Sequence, residues 1–578
     1  MILNTSRWAI IAAILLATLA FADLESDLCG AGIDALFPGD GDYDAARNTY
    51  NRRYSFSPAA IAYPNSPDDV SKVIQIGARN QLQVIPRSGG HSFVSNGAGG
   101  KDGALIVDLS NMTQISIDSS SHIATIQTGN RLGDVAINLN GAGRALPHAF
   151  GGWGLTSRMW GLTLDTIKAI NTVFANGTTA RITAENFPDL FWALRGAAPS
   201  FGITTSIEVE TFPAPQHALI YSYTWSLAAE AAGQALLDFQ SFALTTPDLL
   251  PEYSSGLTWT KSNTSGEVVF NMAGGWYDEP DKLDGILKPL LDKLPAPLAN
   301  ERIGNGTWID SVEGAAALFN TSLNDLSMPE IPDTFYSKSL MSPEGAPLTP
   351  AAANAFMRYL ADNGSQTKVN WFVQALLFGG ANSKTNAIPV DSTAFVRRDT
   401  LFTWDFRAFA LNESTIEEGF NFADGAHNSL VESMPSDWDY NAYINYVDDR
   451  QEDWQKRYYG GHYDHLRSIK TEIDPNDIFS FPTSIEESKC EHLKSGLSRK
   501  QDLFASYVTQ YSEKGVNVIE WKHNYLRLKE KNESMHLRES MFEFLATTNG
   551  NLTTGAAIKI STLARGKESP AFHVQNLE

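Results

Sequence analysis

The chain has 578 residues and 44 Lys+Arg against 66 Asp+Glu, a net charge of -22. Its 43% hydrophobic and 11% aromatic content can build a large core, which excludes collagen, bulk disorder and a coiled-coil rod. Two cysteines exclude a disulfide-dense scaffold, and an acidic chain without a basic run is a poor partner for nucleic-acid phosphates.

Residues 1–22 read as a secretory signal peptide. Arg7 closes a short leading region, residues 8–19 are almost wholly apolar, and Ala20-Phe21-Ala22 is a small-x-small cleavage site before Asp23. No later stretch is apolar enough to span a bilayer. Asn-x-Ser/Thr acceptors stand at Asn111, Asn176, Asn263, Asn305, Asn320, Asn363 and Asn412, so an extracellular glycoprotein is expected. Cys29 and Cys490 could pair or stay free.

Between residues 61 and 211 short strands alternate with helices. Residues 82–85 read as a strand running into Pro86, 104–109 as a buried strand, and 123–128 as an alternating one. Residues 134–139 and 188–195 have helical spacing, the latter stopping at Gly196. Residues 203–212 alternate again and end at Pro213-Ala214-Pro215, a natural boundary. In a second block, residues 219–225, 267–272 and 368–378 predict strands, and 228–243 and 281–293 predict helices. This order suggests an antiparallel sheet with helices on one face. An aromatic region, 438–463, leads into a helix-like stretch ending at Asp474-Pro475. Beyond Glu487 the chain is dense in Lys, Glu and Asn, and 518–545 has loose helical spacing. That tail predicts a separate, partly helical and partly disordered extension.

Pro86-Arg87-Ser88-Gly89-Gly90-His91-Ser92 is the most informative stretch. It follows a strand, and its glycines let consecutive N–H groups approach an anion as a phosphate-binding nest. It is neither a dinucleotide GxGxxG nor a Walker loop. On spacing alone, a tight turn with an exposed histidine is an equal alternative. The eleven histidines are scattered without metal-ligand spacing, so no metal is expected.

With further motifs in order, this stretch resembles the first signature of FAD-linked oxidases of the vanillyl-alcohol-oxidase/p-cresol-methylhydroxylase superfamily, in the berberine-bridge-enzyme-like branch. The further motifs are Gly129-Asn130-Arg131-Leu132-Gly133-Asp134, Ser157-Arg158-Met159-Trp160-Gly161-Leu162-Thr163-Leu164-Asp165 and Asn186-Phe187-Pro188-Asp189-Leu190-Phe191-Trp192. Then come Ser200-Phe201-Gly202-Ile203, Tyr443-Ile444-Asn445-Tyr446-Val447-Asp448, Tyr458-Tyr459-Gly460-Gly461-His462-Tyr463 and Asp474-Pro475-Asn476-Asp477-Ile478-Phe479. The resemblance spans roughly residues 25–487.

The resemblance implies an α+β chain with a two-lobed FAD-binding domain over 23–214. A substrate domain over 215–440, an antiparallel sheet covered by helices, is inserted before a C-terminal segment over 441–487 that returns to the flavin; 488–578 lies outside the family pattern. It implies covalent FAD through His91, a pyrophosphate held by Arg87, Ser88, Gly89 and Gly90 with Ser92 in the same loop, and Phe201, Gly202 and Ile203 along the cofactor. Tyr443 takes the position of the general base, and Gln374 that of a substrate-facing strand residue. The implied reaction is hydride transfer from an alcohol or sugar carbon to flavin N5, with O2 reduced to H2O2, in a monomer.

Three positions depart from the pattern. Between Leu146-Pro147 and Phe150-Gly151-Gly152 the chain is about a dozen residues shorter than relatives. No cysteine stands there, so no second, cysteinyl link is expected. Leu376 replaces an acid that assists the tyrosine in sugar oxidases, and Phe93 replaces a tyrosine, so the pocket reads as less polar than theirs. A flavin-poor, non-catalytic secreted glycoprotein on the same scaffold is the competing reading.

Overall fold

The computed structural model describes residues 24–147, 152–247, 249–317, 322–323 and 333–487, and the backbone of 541–545 and 557–561. The chain divides into two compact units, Met1–Glu487 and Ser488–Glu578.

The first unit opens with a small sheet in which Ala60–Tyr63, Leu105–Asp108 and Val84–Arg87 run parallel, edged antiparallel by Asp34–Leu36. Helix Pro67–Arg79 packs on it for local reasons. Ser66 caps it by accepting from the Asp69 N–H at 3.2 Å, Pro67 occupies its first turn, and Val70, Val73, Ile74 and Gly77 form its buried face. The strand expected at 82–85 runs on through Pro86 to Arg87. It is an edge strand, where a missing N–H costs nothing. A second, antiparallel sheet follows in the order Ile115–Ile117, Ile123–Gln127, Ile203–Glu210, Ile167–Val173, Thr179–Ile182.

The inserted domain is a seven-stranded antiparallel sheet. Its order is Ala299–Gly306, Ala218–Ala228, Glu267–Trp276, Gly256–Lys261, Asn370–Leu377, Thr400–Phe409, Tyr336–Pro343. Helices Ala229–Thr245, Pro350–Gln366 and Ile416–Val431 pack their apolar residues into the core on one face. Trp225, Trp259 and Trp404 are buried there, with Trp259 and Trp404 stacked at 5.8 Å; each such ring contributes roughly 1.5–3 kcal/mol by burial. The opposite face is polar. Cross-strand register sets Thr224, Asn271, Thr258, Gln374, Asp405 and Ser339 in one row, because directly paired residues project to the same side.

The C-terminal segment is fastened by a buried lysine. Lys470, on helix Tyr463–Ile473, gives its ammonium to Asp474 Oδ2 (2.7 Å), Asp477 Oδ1 (3.1 Å) and the carbonyls of Ser200 (2.9 Å) and Phe479 (3.0 Å). The Asp-Pro-Asn-Asp-Ile-Phe motif is thus a socket for this ammonium, and it docks the segment on the Ser200–Ile203 turn.

In the second unit Met541–Leu545 pairs antiparallel with Ala557–Ser561. The helical spacing of 518–545 therefore ends in a strand, since a spacing that loose does not separate the two periods. The rest of that tail lies outside the described residues.

Candidate active site

The strand Val84–Arg87 delivers the glycine loop to a cleft. The main-chain N–H groups of Ser88, Gly89 and Gly90 have no partner among the described residues. Gly90 has φ +69°, and the space beside Gly89 is open. These free donors fit the diphosphate of a dinucleotide cofactor. The Oγ1 atoms of Thr172 and Thr204, on directly paired strand positions, are buried and have no partner among the described residues. Ser88 Oγ ties the loop to the Thr128 carbonyl, and Ser92 Oγ accepts from the Asn96 N–H at 3.2 Å.

Several side chains of these motifs are engaged within the protein itself. The Arg87 guanidinium is not available to a pyrophosphate. Buried, it gives Nε to Asp108 Oδ2 at 2.6 Å and Nη1 to the Ala46 carbonyl at 2.9 Å, so Arg87 can offer a cofactor only its main chain. Phe201 and Ile203 do not present side chains to a cofactor either. Both are fully buried, in two different core clusters, Phe201 at the end of the turn and Ile203 at the start of strand Ile203–Glu210. Gly202 is required by its neighbour, since a Cβ there would meet Thr172 Cγ2 at 2.5 Å.

His91 is accessible to solvent, and its ring stacks on Tyr50 with centroids 3.7 Å apart. Tyr50 packs on Phe335 (5.6 Å), Phe335 on Phe93 (5.2 Å), Phe93 on Tyr446 (5.2 Å) and Tyr446 on Tyr443 (5.3 Å). A continuous file of rings thus joins His91 to Tyr443, although they are far apart in sequence. Crowding by these neighbours and the cations Arg407 and Arg131 push the imidazole down to about 4.

Tyr443 stands on the polar row of the sheet, its N–H donating to Ser339 Oγ at 2.8 Å. Its phenol oxygen accepts from Asn445 Nδ2 at 2.8 Å and from the Trp153 N–H. Burial pushes the phenol up to about 12, and those two donors pull the other way without reversing it. Phe378 and Phe395 meet the ring edge-on, and Leu376 belongs to the same apolar cluster, so no carboxylate stands at position 376. Gln374 is half-buried between Thr258 and Asp405, and its amide has no partner among the described residues. A cavity of about 710 Å³, lined by Asn386, Arg397, Asn441 and Lys456 among others, lies elsewhere and includes none of these residues.

Sequence reasoning missed Tyr50, Phe335, Asp405 and Arg407. Each reaches the site through strand register or ring contact across tens to hundreds of residues, and no local motif marks them. The connection at Pro147–Phe150 lies largely outside the described residues, as does Cys490. Cys29 is exposed on the N-terminal helix.

Comparison with known proteins agrees with this geometry. Residues 58–183 match the family described as FAD binding domain, and residues 442–486 match berberine and berberine like. The chain is 32% identical over 467 residues to a glucooligosaccharide oxidase of Sarocladium strictum, covering 77% of this chain and 90% of that protein. It is 31% identical over 489 residues to a carbohydrate oxidase of Microdochium nivale, covering 81% and 95%. Among solved structures, a chitooligosaccharide oxidase superposes with a TM-score of 0.74 at 28% identity, covering 81% of this chain and 100% of that one. A glucooligosaccharide oxidase from Acremonium strictum, studied for its 6-S-cysteinyl, 8α-N1-histidyl FAD, gives 0.74 at 29% identity, covering 81% and 99%. The shared architecture, the two family matches and this likeness across nearly the whole of the relatives show that the chain belongs to the berberine-bridge-enzyme-like family of FAD-linked oxidoreductases.

Proposed function

We propose that the chain is a secreted oxidase acting on a hydroxyl-bearing carbon of a carbohydrate, or of a less polar alcohol, with O2 as electron acceptor and H2O2 as product. One observation carries the reading: a single file of rings joins His91 and the free loop amides to Tyr443 and the polar row around Gln374. FAD, when bound, supplies the hydride acceptor and hands the electron pair to O2. The residues of the chain divide the remaining work. Ser88, Gly89 and Gly90 bind the diphosphate through their N–H groups, and His91 holds the cofactor by one covalent bond. Tyr443 takes the hydroxyl proton at its phenol oxygen. Gln374, with Thr258 and Asp405 beside it, receives the other hydroxyls of the substrate, while Phe93 and Leu376 form an apolar wall. The carbohydrate oxidases among the relatives favour a sugar. The test is flavin bleaching and H2O2 release with gluco-, xylo- and chito-oligosaccharides and with apolar alcohols. Bleaching by an oligosaccharide supports the sugar reading, and bleaching by none of the panel contradicts the oxidase.

One observation favours the second reading, a flavin-poor scaffold without activity. Tyr443 is 2% exposed, and the segment just after the short connection sits on its hydroxyl, a Gly152 Cβ position being 3.5 Å from the phenol oxygen. A purified protein that is colourless and takes up no FAD is the result expected on that reading.

Secretion rests on residues 1–22 and on the acceptor asparagines. Asn111, Asn176, Asn263, Asn305, Asn363 and Asn412 are exposed, and Asn320 lies outside the described residues. Protein from the native host is expected to begin at Asp23 and to lose mass on enzymatic deglycosylation. An intact Met1 with unchanged mass would contradict this.

A further inference from the structure

Tyr50 covers one face of the His91 imidazole. The two ring centroids stand 3.7 Å apart, with the planes 26° from parallel. The last side-chain torsion of a histidine has a broad energy profile, so an exposed imidazole samples many planes unless a neighbour selects one. Tyr50 is itself mounted rigidly. Its ring meets Phe335 edge-on at 5.6 Å, and its carbonyl accepts the Asp333 N–H at 3.2 Å. The next residue, Asn51, is 1% exposed and ties the surrounding main chain together. Its Nδ2 donates to the carbonyls of Phe93 at 2.7 Å and Phe335 at 2.9 Å. Its Oδ1 accepts the N–H groups of Arg53 at 3.1 Å and Phe335 at 3.2 Å. The residue beside the Tyr50 ring thus pins Phe93, two positions after His91, and the backing Phe335. Leaving such a buried amide unsatisfied would be costly, which fixes this arrangement.

We propose that Tyr50 is the positioning residue for covalent flavin attachment at His91, its ring selecting the imidazole plane that presents a nitrogen edge to the cofactor's 8α-methyl carbon. This rests on the covalent reading given above. A nitrogen lone pair of imidazole lies in the plane of the ring. Stacking covers a face and leaves that edge open to attack carbon. In the attachment a C–N bond forms, while one C–H bond of the methyl group and the imidazole N–H bond break. The electron pair passes to O2, which takes up the two protons and becomes H2O2. Tyr50 supplies neither proton nor electron in this balance and acts through His91. Holding the imidazole in its attack plane removes orientational freedom that would otherwise be lost on the way to the transition state. The role belongs to the ring, so phenylalanine should serve as well as tyrosine.

The test uses the full chain prepared without flavin, as wild type, Tyr50→Phe, Tyr50→Leu and Tyr50→Met. Leucine and methionine keep an apolar side chain against Phe335 but have no flat face for the imidazole. The first readout is the NMR position of the His91 ring protons, assigned by their loss in His91→Ala. They are expected upfield in wild type and Tyr50→Phe, under the stacked ring, and near the position of a free histidine in the other two. The second readout is acid-precipitable flavin against time at saturating FAD. Attachment is expected to be roughly two- to ten-fold slower in Tyr50→Leu and Tyr50→Met, the population change an aromatic pair can impose, and to be restored in Tyr50→Phe. Reversible FAD affinity and the denaturant midpoint should stay near wild type. Attachment at the wild-type rate in the leucine and methionine variants overturns the proposal, as does a phenylalanine variant as slow as they are. Slowing that comes only with lost FAD affinity or a lowered midpoint, in both variants, shows a merely structural role and also overturns it. Wild-type protein that takes up no acid-stable flavin overturns the covalent reading itself, and this proposal with it.

Discussion

Replacing Tyr443 by phenylalanine is expected to slow flavin reduction by about 10²–10⁴-fold, the usual worth of a general base, while leaving flavin binding intact. Removing a hydride from an alcohol carbon leaves a protonated carbonyl unless the hydroxyl proton departs in step. Tyr443 and Tyr446 are the tyrosines that the C-terminal segment brings to the aromatic file, and Tyr443 stands on a main chain pinned to Ser339. Its phenol is pushed up to about 12 by burial, so at assay pH it is protonated and only a small fraction can act. The reductive rate of the wild type is therefore expected to rise with pH throughout the accessible range. With Leu376 in place of an assisting acid, its optimum should lie above that of sugar oxidases. The phenylalanine variant should lose the rise as well as the rate. Asn445→Ala removes one of the two donors to the phenol oxygen and should push the phenol further up, lowering the rate at each pH without changing the slope of the dependence. Stopped-flow reduction across pH reads all three proteins. An unchanged rate in Tyr443→Phe would remove this residue from the chemistry and turn attention to Tyr446.

The largest effect on stability is expected at Asp165. This residue ends the Ser157–Asp165 motif and forms a two-point ion pair with Arg398, Oδ1 to Nη2 at 2.7 Å and Oδ2 to Nη1 at 2.9 Å, with both side chains 4% exposed. Oδ2 also accepts the Leu162 N–H at 2.9 Å. Asp165→Ala leaves a buried guanidinium without its counter-charge, at a cost of about 3–5 kcal/mol. Asp165→Asn keeps an acceptor for Leu162 and should lose less. The pair joins the part that carries the glycine loop to the inserted domain, so the alanine variant should lower the denaturant midpoint and expose the attached flavin to solvent at lower denaturant than wild type. Equilibrium unfolding followed by both flavin and tryptophan fluorescence measures this. A midpoint within error of wild type would show that Arg158 carries the seam instead. That residue is fully buried and gives its guanidinium to the carbonyls of Gly379, Leu250, Tyr253 and Ala381.

The glycine loop and the helix-covered sheet were legible because each is a local pattern, whereas Tyr443 was singled out only by the family resemblance. The glycines of residues 86–92 offer a nest beside an equal reading as a tight turn, and the strand expected at 368–378 is marked off by Gly379-Gly380. Roles that depend on which way a side chain turns were not legible. Arg87 sits inside the family signature, yet its guanidinium belongs to Asp108, a partner on the neighbouring parallel strand that only the register reveals. Phe201 and Ile203 lie in a flavin-lining motif but face the core. Leu376 announced an apolar pocket, whereas the polar row through Thr258, Gln374 and Asp405 comes from three strands and has no trace in any one segment. Lys470 shows the same limit: its four partners come from the Ser200 turn and from residues 474–479, and its sequence context is that of an ordinary helical lysine.

The central claim, an FAD-linked oxidase holding its flavin through His91 alone, is tested most directly by mapping acid-stable flavin on the purified chain. Trypsin should release residues 88–101, between Arg87 and Lys101, as one peptide containing His91. The account predicts a yellow acid pellet, flavin mass on that peptide alone, and a colourless pellet from His91→Ala. A wild-type pellet without flavin, or flavin mass on a peptide carrying Cys29 or Cys490, would contradict it.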